Sequence, residues 1–244
     1  MNPIFLYESG KKRGLNTNLV AYYKLDSDSI DATGLSPNGT ATGIDYVAGK
    51  TGNAARFNAA GDKIEIADTN NLSFTTGGGN DVAFSISLWV YYVGFAATGN
   101  WLLNKRQTIS GDEWQLLRFN DGKTYMVKMT NSTNYQQFIA NFSYSLNTWY
   151  HLVITDDGSK TLAGSRIYVN SVSQSLTAAT GGTYTGMQNT TALTTMGAVG
   201  YATPTAADSH NGYIEDVGIW KNRVLNQSEV NYLYNSGNGR TYPF

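Results

Sequence analysis

The sequence lacks cysteine entirely and contains only four prolines in 244 residues. The absence of cysteine excludes a disulfide scaffold and any zinc site built from thiolates. Charged residues make up only 14% of the chain and nearly cancel to a net charge of −1, so no basic surface points to nucleic acid. No apolar run approaches the length of a transmembrane helix, so we predict no membrane insertion. The short apolar stretch at residues 4–7 is followed, not preceded, by basic residues, so we predict no signal peptide.

What the chain has in abundance is alternation of apolar and polar residues. The segment FSISLWVYY places Phe84, Ile86, Leu88 and Val90 on one face and sends the residues between them to the other. About eleven such segments occur, separated by glycine- and asparagine-rich turns, with no helix between successive strands. This pattern predicts an all-β, antiparallel sandwich of two sheets. No linker divides it, so we predict one domain over residues 18–244 after an extension at residues 1–17.

One helix is predicted near the end of the chain, over residues 227–235. Asn226 is a suitable N-cap, and Glu229 stands three residues later, as in a capping box. Leu225 and Val230 are spaced to form a hydrophobic staple across the first turn. Gly237 is available to end the helix in the left-handed conformation. So short a helix is not stable alone, and we expect it to pack on the sandwich.

Several segments together resemble the laminin-G-like, concanavalin A-like jelly-roll modules of bacterial and viral proteins. They occur in the family's order between about residues 18 and 237 and read LVAYYKLD, GKTGNAARF, FSISLWVYY, WYHLVITDDGS, RIYVNSV and the closing stretch from Gly212 to Tyr234. The resemblance implies a jelly-roll sandwich with a short helix packed at its edge. It also implies that the strand carrying Glu215 and Asp216 lies beside the opening strand.

The resemblance further implies a structural calcium ion, because many such domains bind one with an acid of the closing strand. The corresponding candidates here are Asp26 and Asp216, with Glu215 as the alternative because the usual order of the two acids is reversed. Asp28 and Asp31 add carboxylate oxygens of the type that calcium prefers. The alternative interpretation of this acidic segment is a solvated turn after a strand.

We predict that the protein is not an enzyme. Glycosidases of related fold need two carboxylates across the scissile bond, and no predicted strand supplies acids at alternate positions. Glu215 and Asp216 are adjacent, so a regular strand would point them to opposite faces. The chain has two histidines, His151 and His210. His151 alternates with Trp149 and Val153 and is interpreted as a packing residue, and no serine stands in a nucleophile context.

Sugar binding fits the composition better, because exposed aromatic rings stack on sugar rings. We name Trp101, Trp114, Tyr135 and Tyr201 as candidates for carbohydrate binding, among a wider set of aromatics predicted in loops or on solvent-facing surfaces that adds Tyr125, Tyr144 and Tyr184. Trp89, Trp149 and Trp220 are assigned to packing. An aromatic residue in a sandwich is more often a packing residue than a ligand platform, so that alternative stands for each candidate.

Two functions follow from these observations. The first is a non-catalytic carbohydrate-binding or adhesion module whose partner is a glycan or a glycosylated surface. The second is a structural or interaction component of a virion or of a larger surface protein, without sugar binding. Both place the protein outside the cell or on a virion surface, and fold resemblance does not separate them.

Overall fold

A computed structural model describes residues 14–107, 111–200 and 205–244. The strands, in chain order, are β1 Leu19–Tyr23, β2 Gly39–Thr42, β3 Asp45–Ala48, β4 Asn53–Phe57, β5 Lys63–Ile66, β6 Phe84–Gly94, β7 Gly99–Lys105, β8 Trp114–Phe119, β9 Thr124–Met129, β10 Tyr135–Ala140, β11 Trp149–Asp156, β12 Ser165–Val169, β13 Val172–Ser173, β14 Leu176–Gly181, β15 Thr194–Met196 and β16 Asn211–Lys221. The α-helix α1 spans Gln227–Tyr234, and short 3₁₀ turns lie at Asn70–Leu72, Leu162–Gly164, Ala206–Asp208 and Asn235–Gly237.

These strands form two antiparallel sheets, which confirms the predicted sandwich. The first sheet has the order β13-β12-β11-β6-β16-β4-β3, and β1 also pairs with β16. The second has the order β14-β10-β9-β8-β7-β15-β5-β2. Strands distant in sequence are therefore neighbours in both sheets, and the central pair of the first sheet joins β6 to β16.

The strand β16 shares one of its edges between two shorter strands. Its first part, at residues 212–214, pairs with β4, and its second part, at residues 217–220, pairs with β1. Glu215 and Asp216 lie where one partner ends and the other begins. This confirms that the acidic strand lies beside the opening strand of the chain.

The main core lies between the sheets, where the inward-facing residues of both form one apolar cluster. A second cluster covers the outer face of the first sheet, where Trp220 packs beneath the helix residues Val230 and Leu233. Leu15, which belongs to the predicted extension, is buried in this second cluster and accepts a hydrogen bond from the Trp220 indole. The helix is thus held by tertiary packing, as its length requires.

The start of α1 is as predicted and its last residue, Tyr234, lies one residue before the predicted end, but the residue that stops the helix differs. The Asn226 side chain accepts a hydrogen bond from the Glu229 N–H, and the Glu229 carboxylate accepts one from the Asn226 N–H, so the capping box is confirmed. The helix ends at Asn235, which is left-handed at φ 49°, and not at Gly237. Asparagine tolerates this conformation better than most residues, so the left-handed stop comes two residues before Gly237.

Several strands lie outside the segments that alternation predicted. They are β2, β3, β4, β13 and β14. The residues of β2 and β14 are mostly exposed on both faces, so they carry no alternation to detect. Each of these strands pairs with the free edge of a neighbouring strand, and a local sequence pattern does not show where that edge lies.

Candidate functional site

The acids Glu215 and Asp216 lie at a bulge in the middle of β16. Glu215 pairs with Trp89 of β6, but the next residue in register is Gly218, so two residues of β16 stand opposite one residue of β6. Asp216 has a φ of 53°, in the left-handed region that few non-glycine residues adopt. The bulge therefore breaks the alternation of side chains along β16 where its edge partner changes.

Both carboxylates reach the turn that precedes β4. The two Glu215 oxygens accept hydrogen bonds from the N–H groups of Lys50 at 2.6 Å and Thr51 at 2.7 Å. The Thr51 hydroxyl lies 3.1 Å from Glu215 Oε1 and 2.6 Å from Asp216 Oδ2. The prediction that the two acids point to opposite faces is therefore wrong, because it assumed a regular strand and the bulge turns Asp216 towards the same residue.

Burial dominates the ionisation of this pair. It raises the pKa of Glu215 to about 7, although the N–H groups of Lys50 and Thr51 lower it, and the nearby charge of Asp216 raises it as well. Burial also raises the pKa of Asp216, against hydrogen bonds from Thr51 and Tyr22. A hydroxyl has one hydrogen, so Thr51 donates to one carboxyl and can accept from the other when that one is protonated. The arrangement fastens the turn to the sheet.

The neighbouring acids are held by the protein in the same way. Asp26 Oδ1 accepts a hydrogen bond from the Asn53 N–H at 2.8 Å, and Asp31 accepts several from backbone N–H groups that follow it. Within the described ranges, no three histidine, cysteine, aspartate or glutamate side chains converge on a point where they could bind a metal. Both oxygens of Glu215 and of Asp216, and Oδ1 of Asp26, accept hydrogen bonds from the protein, so the described side chains form no dedicated carboxylate cage. Calcium binding stays a prediction that melting experiments test.

Both histidines are buried, as the packing interpretation of His151 predicts for that residue. His151 lies 5.0 Å from the Trp89 ring, and its Nε2 is 2.9 Å from the Ser87 hydroxyl. Burial lowers the pKa of His151 to about 3 and that of His210 to about 4. Both rings are therefore neutral at physiological pH, and both partners of the Ser87–His151 contact are buried.

An aromatic groove crosses the outer face of the second sheet. It has a volume of about 360 Å³, and its principal lining residues are Trp101, Gln115, Leu117, Tyr125, Tyr135 and Gln137. They come from the adjacent strands β7, β8, β9 and β10. The face opposite to the core thus carries a concave surface that combines rings with side-chain amides.

The groove is arranged in rows that run across the strands. Trp101 stands opposite Leu117, which in turn stands opposite Tyr125. In the next row, Gln115 and Gln137 flank Val127. Neighbouring strands lie about 4.8 Å apart, so each row spans roughly the width of two or three sugar rings.

Two of the aromatic residues are fixed in place. Trp101 is 7% exposed, and its indole N–H has no hydrogen-bond partner among the described residues. The Arg106 guanidinium lies 5.9 Å from the Trp101 ring centre and is anchored by Asp112 at 2.9 Å. Tyr135 stands opposite Gly181, and a side chain at Gly181 would collide with its ring. The rings are therefore positioned before any ligand binds.

The sugar-binding candidates from the sequence meet different outcomes. Trp101 and Tyr135 lie in the aromatic groove. Trp114 is fully buried and donates its indole hydrogen to the Leu72 carbonyl, so its prediction as an exposed platform is wrong. The segment around Trp114 lacks strict alternation, so its sequence does not determine whether the Trp114 side chain points to the core or to solvent. Tyr201 lies outside the described residues.

Two polar residues of the groove, Gln115 and Gln137, were not predicted from the sequence. The signal was present, since Gln115 is two residues before Leu117 and Gln137 two residues after Tyr135, so each shares a strand face with a groove residue. It was not interpretable alone, because only the sheet order brings these faces together.

The chain belongs to the concanavalin A-like lectin/glucanases superfamily. The profile of that family, Laminin_G_3, matches residues 58–231, which is more than half of the chain. The family resemblance is therefore confirmed, while the opening segments quoted for it lie before the matched range. A search of curated protein sequences finds no match.

Solved structures of similar fold include both binding domains and enzymes. Domain 4 of an extracellular GH43 arabinanase from Geobacillus stearothermophilus, in complex with arabinotriose, is 21% identical with a TM-score of 0.64, and the match covers 91% of this chain and 98% of that one. The receptor binding domain of botulinum neurotoxin D is 16% identical with a TM-score of 0.62, over 90% of this chain and 53% of that one. A sialidase from Trypanosoma rangeli is 16% identical with a TM-score of 0.58, over 91% of this chain and 33% of that one. At these identities the likeness establishes the fold.

Across residues 14–107, 111–200 and 205–244, no helix has the length and apolar character needed to cross a membrane.

Proposed function

We propose that the protein is a non-catalytic carbohydrate-binding module and that its glycan binds in the aromatic groove. The observation that carries this proposal is the juxtaposition of Trp101, Tyr125 and Tyr135 with the amides of Gln115 and Gln137 on one sheet face. The apolar face of a sugar ring packs on an aromatic ring, and side-chain amides can both donate to and accept from its hydroxyls.

Two relatives in fold bear on the ligand: the arabinanase domain was solved with arabinotriose, and the botulinum domain is named as receptor binding.

The described residues that line the groove include no acid, which supports binding without catalysis. Glycoside hydrolysis needs one carboxyl as proton donor and a second as nucleophile or base. The paired acids of this chain, Glu215 and Asp216, lie in the first sheet, where they are buried and hydrogen-bonded to Thr51. They therefore have no access to a glycan in the groove of the second sheet.

A glycan array followed by calorimetry tests the proposal. We expect binding to one class of oligosaccharide and a loss of about tenfold in affinity, or about 1.4 kcal/mol, in Tyr135→Ala and Gln137→Ala. The matched controls are Tyr213→Ala, on the outer face of the first sheet, and Gln174→Ala, which follows β13; both should bind as the wild type does. Equal losses in the groove variants and the controls would refute the groove as the site.

The same array separates the alternative function. Silence on every glycan, together with tight self-association in sedimentation, would favour a structural or interaction component of a virion or larger surface protein. Release of reducing sugar from any bound glycan would refute the non-catalytic part of the proposal.

A further inference from the structure

The interior of the sandwich contains two lysines whose charges are fully compensated. Lys105 and Lys128 are both inaccessible to solvent, and each lies between two carboxylates. The partners within 3.4 Å are Asp68 and Glu113 for Lys105, and Asp81 and Asp156 for Lys128. This is the usual condition of a buried charge, because an unpaired one is strongly destabilising.

Arg118 is a third buried cation, and it has no such partner. It is only 7% exposed, yet among the described residues no carboxylate oxygen lies within 4.0 Å of its guanidinium. Its Nε is buried and has no hydrogen-bond partner within the described part of the chain, and its Nη1 makes one long contact of 3.4 Å with the Phe119 carbonyl. The Phe95 ring, 3.6 Å away, supplies a cation–π contact that offsets only part of the lost hydration.

Arg118 lines a cavity of about 200 Å³ at the β8–β9 turn. The polar residues Lys123, Asn141 and Ser143 line the same cavity, so it offers one more cation and neutral hydrogen-bonding groups. Asp121 is the acid in the lining; its charge acts on Arg118 without a direct ion pair, and its oxygens are engaged by Lys123 at 3.3 Å and by the Tyr125 hydroxyl at 2.9 Å. The cavity therefore has an excess of positive charge and of unused donors.

A second unsatisfied group lies close to this cation. The Tyr92 hydroxyl is buried and has no hydrogen-bond partner in the residues that the structure describes, and the charge of Arg118 acts electrostatically on that phenol. Two unpaired polar groups in electrostatic contact mark a place where a ligand or ordered water completes the hydrogen bonding. Water supplies no negative charge, so it does not compensate Arg118.

We propose that this cavity binds an oxyanion, the carboxylate or sulfate group of a ligand, which pairs with the Arg118 guanidinium. The planar fork of a guanidinium matches two oxygens of a carboxylate or sulfate and gives the strongest class of hydrogen bonds in proteins. The oxyanion comes either from an acidic sugar or from a free small anion. The cavity is lined by other residues than the aromatic groove, so the site does not depend on glycan binding there.

The arginine Nε–H resonance of Arg118 in ¹⁵N-labelled protein reports the site directly. We expect it to shift saturably on titration with sodium sulfate, sodium acetate or sodium glucuronate, with sodium chloride holding the ionic strength constant. The resonance of exposed Arg166 is the internal control and should move only linearly. A resonance of Arg118 that does not respond to any of the three oxyanions, or responds only as Arg166 does, would overturn the proposal.

Two variants test the charge pairing. Arg118→Met should lose the saturable response, seen as loss of the anion-dependent rise in melting temperature. Asn141→Asp places a carboxylate in the same cavity with little change in size, so it should weaken oxyanion binding at least tenfold. This variant tests the site even if Arg118→Met does not fold. Asn231→Asp on α1 is the matched control and should bind as the wild type does; equal effects in the two aspartate variants would contradict the site.

The order of affinities identifies the source of the oxyanion. Tighter binding of glucuronate than of sulfate and acetate identifies an acidic sugar, and the reverse order identifies a free anion.

Discussion

Replacing Glu215 by glutamine should change how the stability of the protein depends on pH. The side chain is fully buried, and burial raises its pKa from 4.5 to about 7. Each pKa unit corresponds to about 1.4 kcal/mol, so the shift is worth about 3 kcal/mol. Because the folded state binds this proton more tightly than the unfolded chain, its stabilisation is complete below about pH 4.5 and is lost as the pH rises to about 7.

Glutamine has the shape of the protonated acid but does not titrate. The free energy of unfolding of the wild type, minus that of Glu215→Gln, should therefore fall by about 3 kcal/mol between pH 4.5 and pH 8. This difference is more informative than the wild-type profile alone. His151 and His210 have lowered pKa values of about 3 and 4, so their contribution to stability rises with pH up to about 6.5, which opposes the effect of Glu215.

Urea unfolding of both proteins at half-unit pH steps measures this difference. Glu65→Gln is the control, because it also removes one carboxylate, in this case from an ion pair with Lys63. Parallel profiles for the wild type and Glu215→Gln would show that the carboxyl is not perturbed. A difference that grows with pH would show that the N–H groups of Lys50 and Thr51 outweigh burial, and would refute the reasoning.

Three further predictions concern the metal, the helix and the core. If calcium binds at Asp216, millimolar calcium at a hundredfold excess over the dissociation constant should raise the melting temperature by about 5–11 °C. Asp216→Asn should lose most of this rise. Wild-type melting curves that coincide in calcium and in chelator would exclude the ion. Asn226→Ala removes the N-cap of α1 and should cost about 1 kcal/mol in denaturant unfolding, with Gln174→Ala as an uncapped surface control. Trp114→Ala should cost about 3–5 kcal/mol by the same measurement, whereas a loss below 1 kcal/mol would contradict its burial.

The sequence by itself determined the class of the fold and the start of the helix. In FSISLWVYY, alternation is a local property of an extended chain, so Ile86 and Leu88 face the core whatever their partners are. The capping box of Asn226 and Glu229 is likewise local, because its atoms lie within one helical turn. These features depend only on residues a few positions apart, so the sequence is sufficient to predict them.

The candidate sites depend on contacts between distant residues, and only the tertiary structure decided them. Glu215 and Asp216 both contact Thr51 because the edge partner of β16 changes from β4 to β1 at a bulge. The residues next to the two acids in sequence do not predict this change of partner. The segment around Trp114 lacks strict alternation, so the sequence does not show which face of β8 is covered. Likewise, Arg118 reads as an ordinary strand residue until the packing of both sheets shows that it is buried without an acid. Which face is covered and which charge is paired are set by register and sheet order, and these arise only when strands far apart in sequence come together.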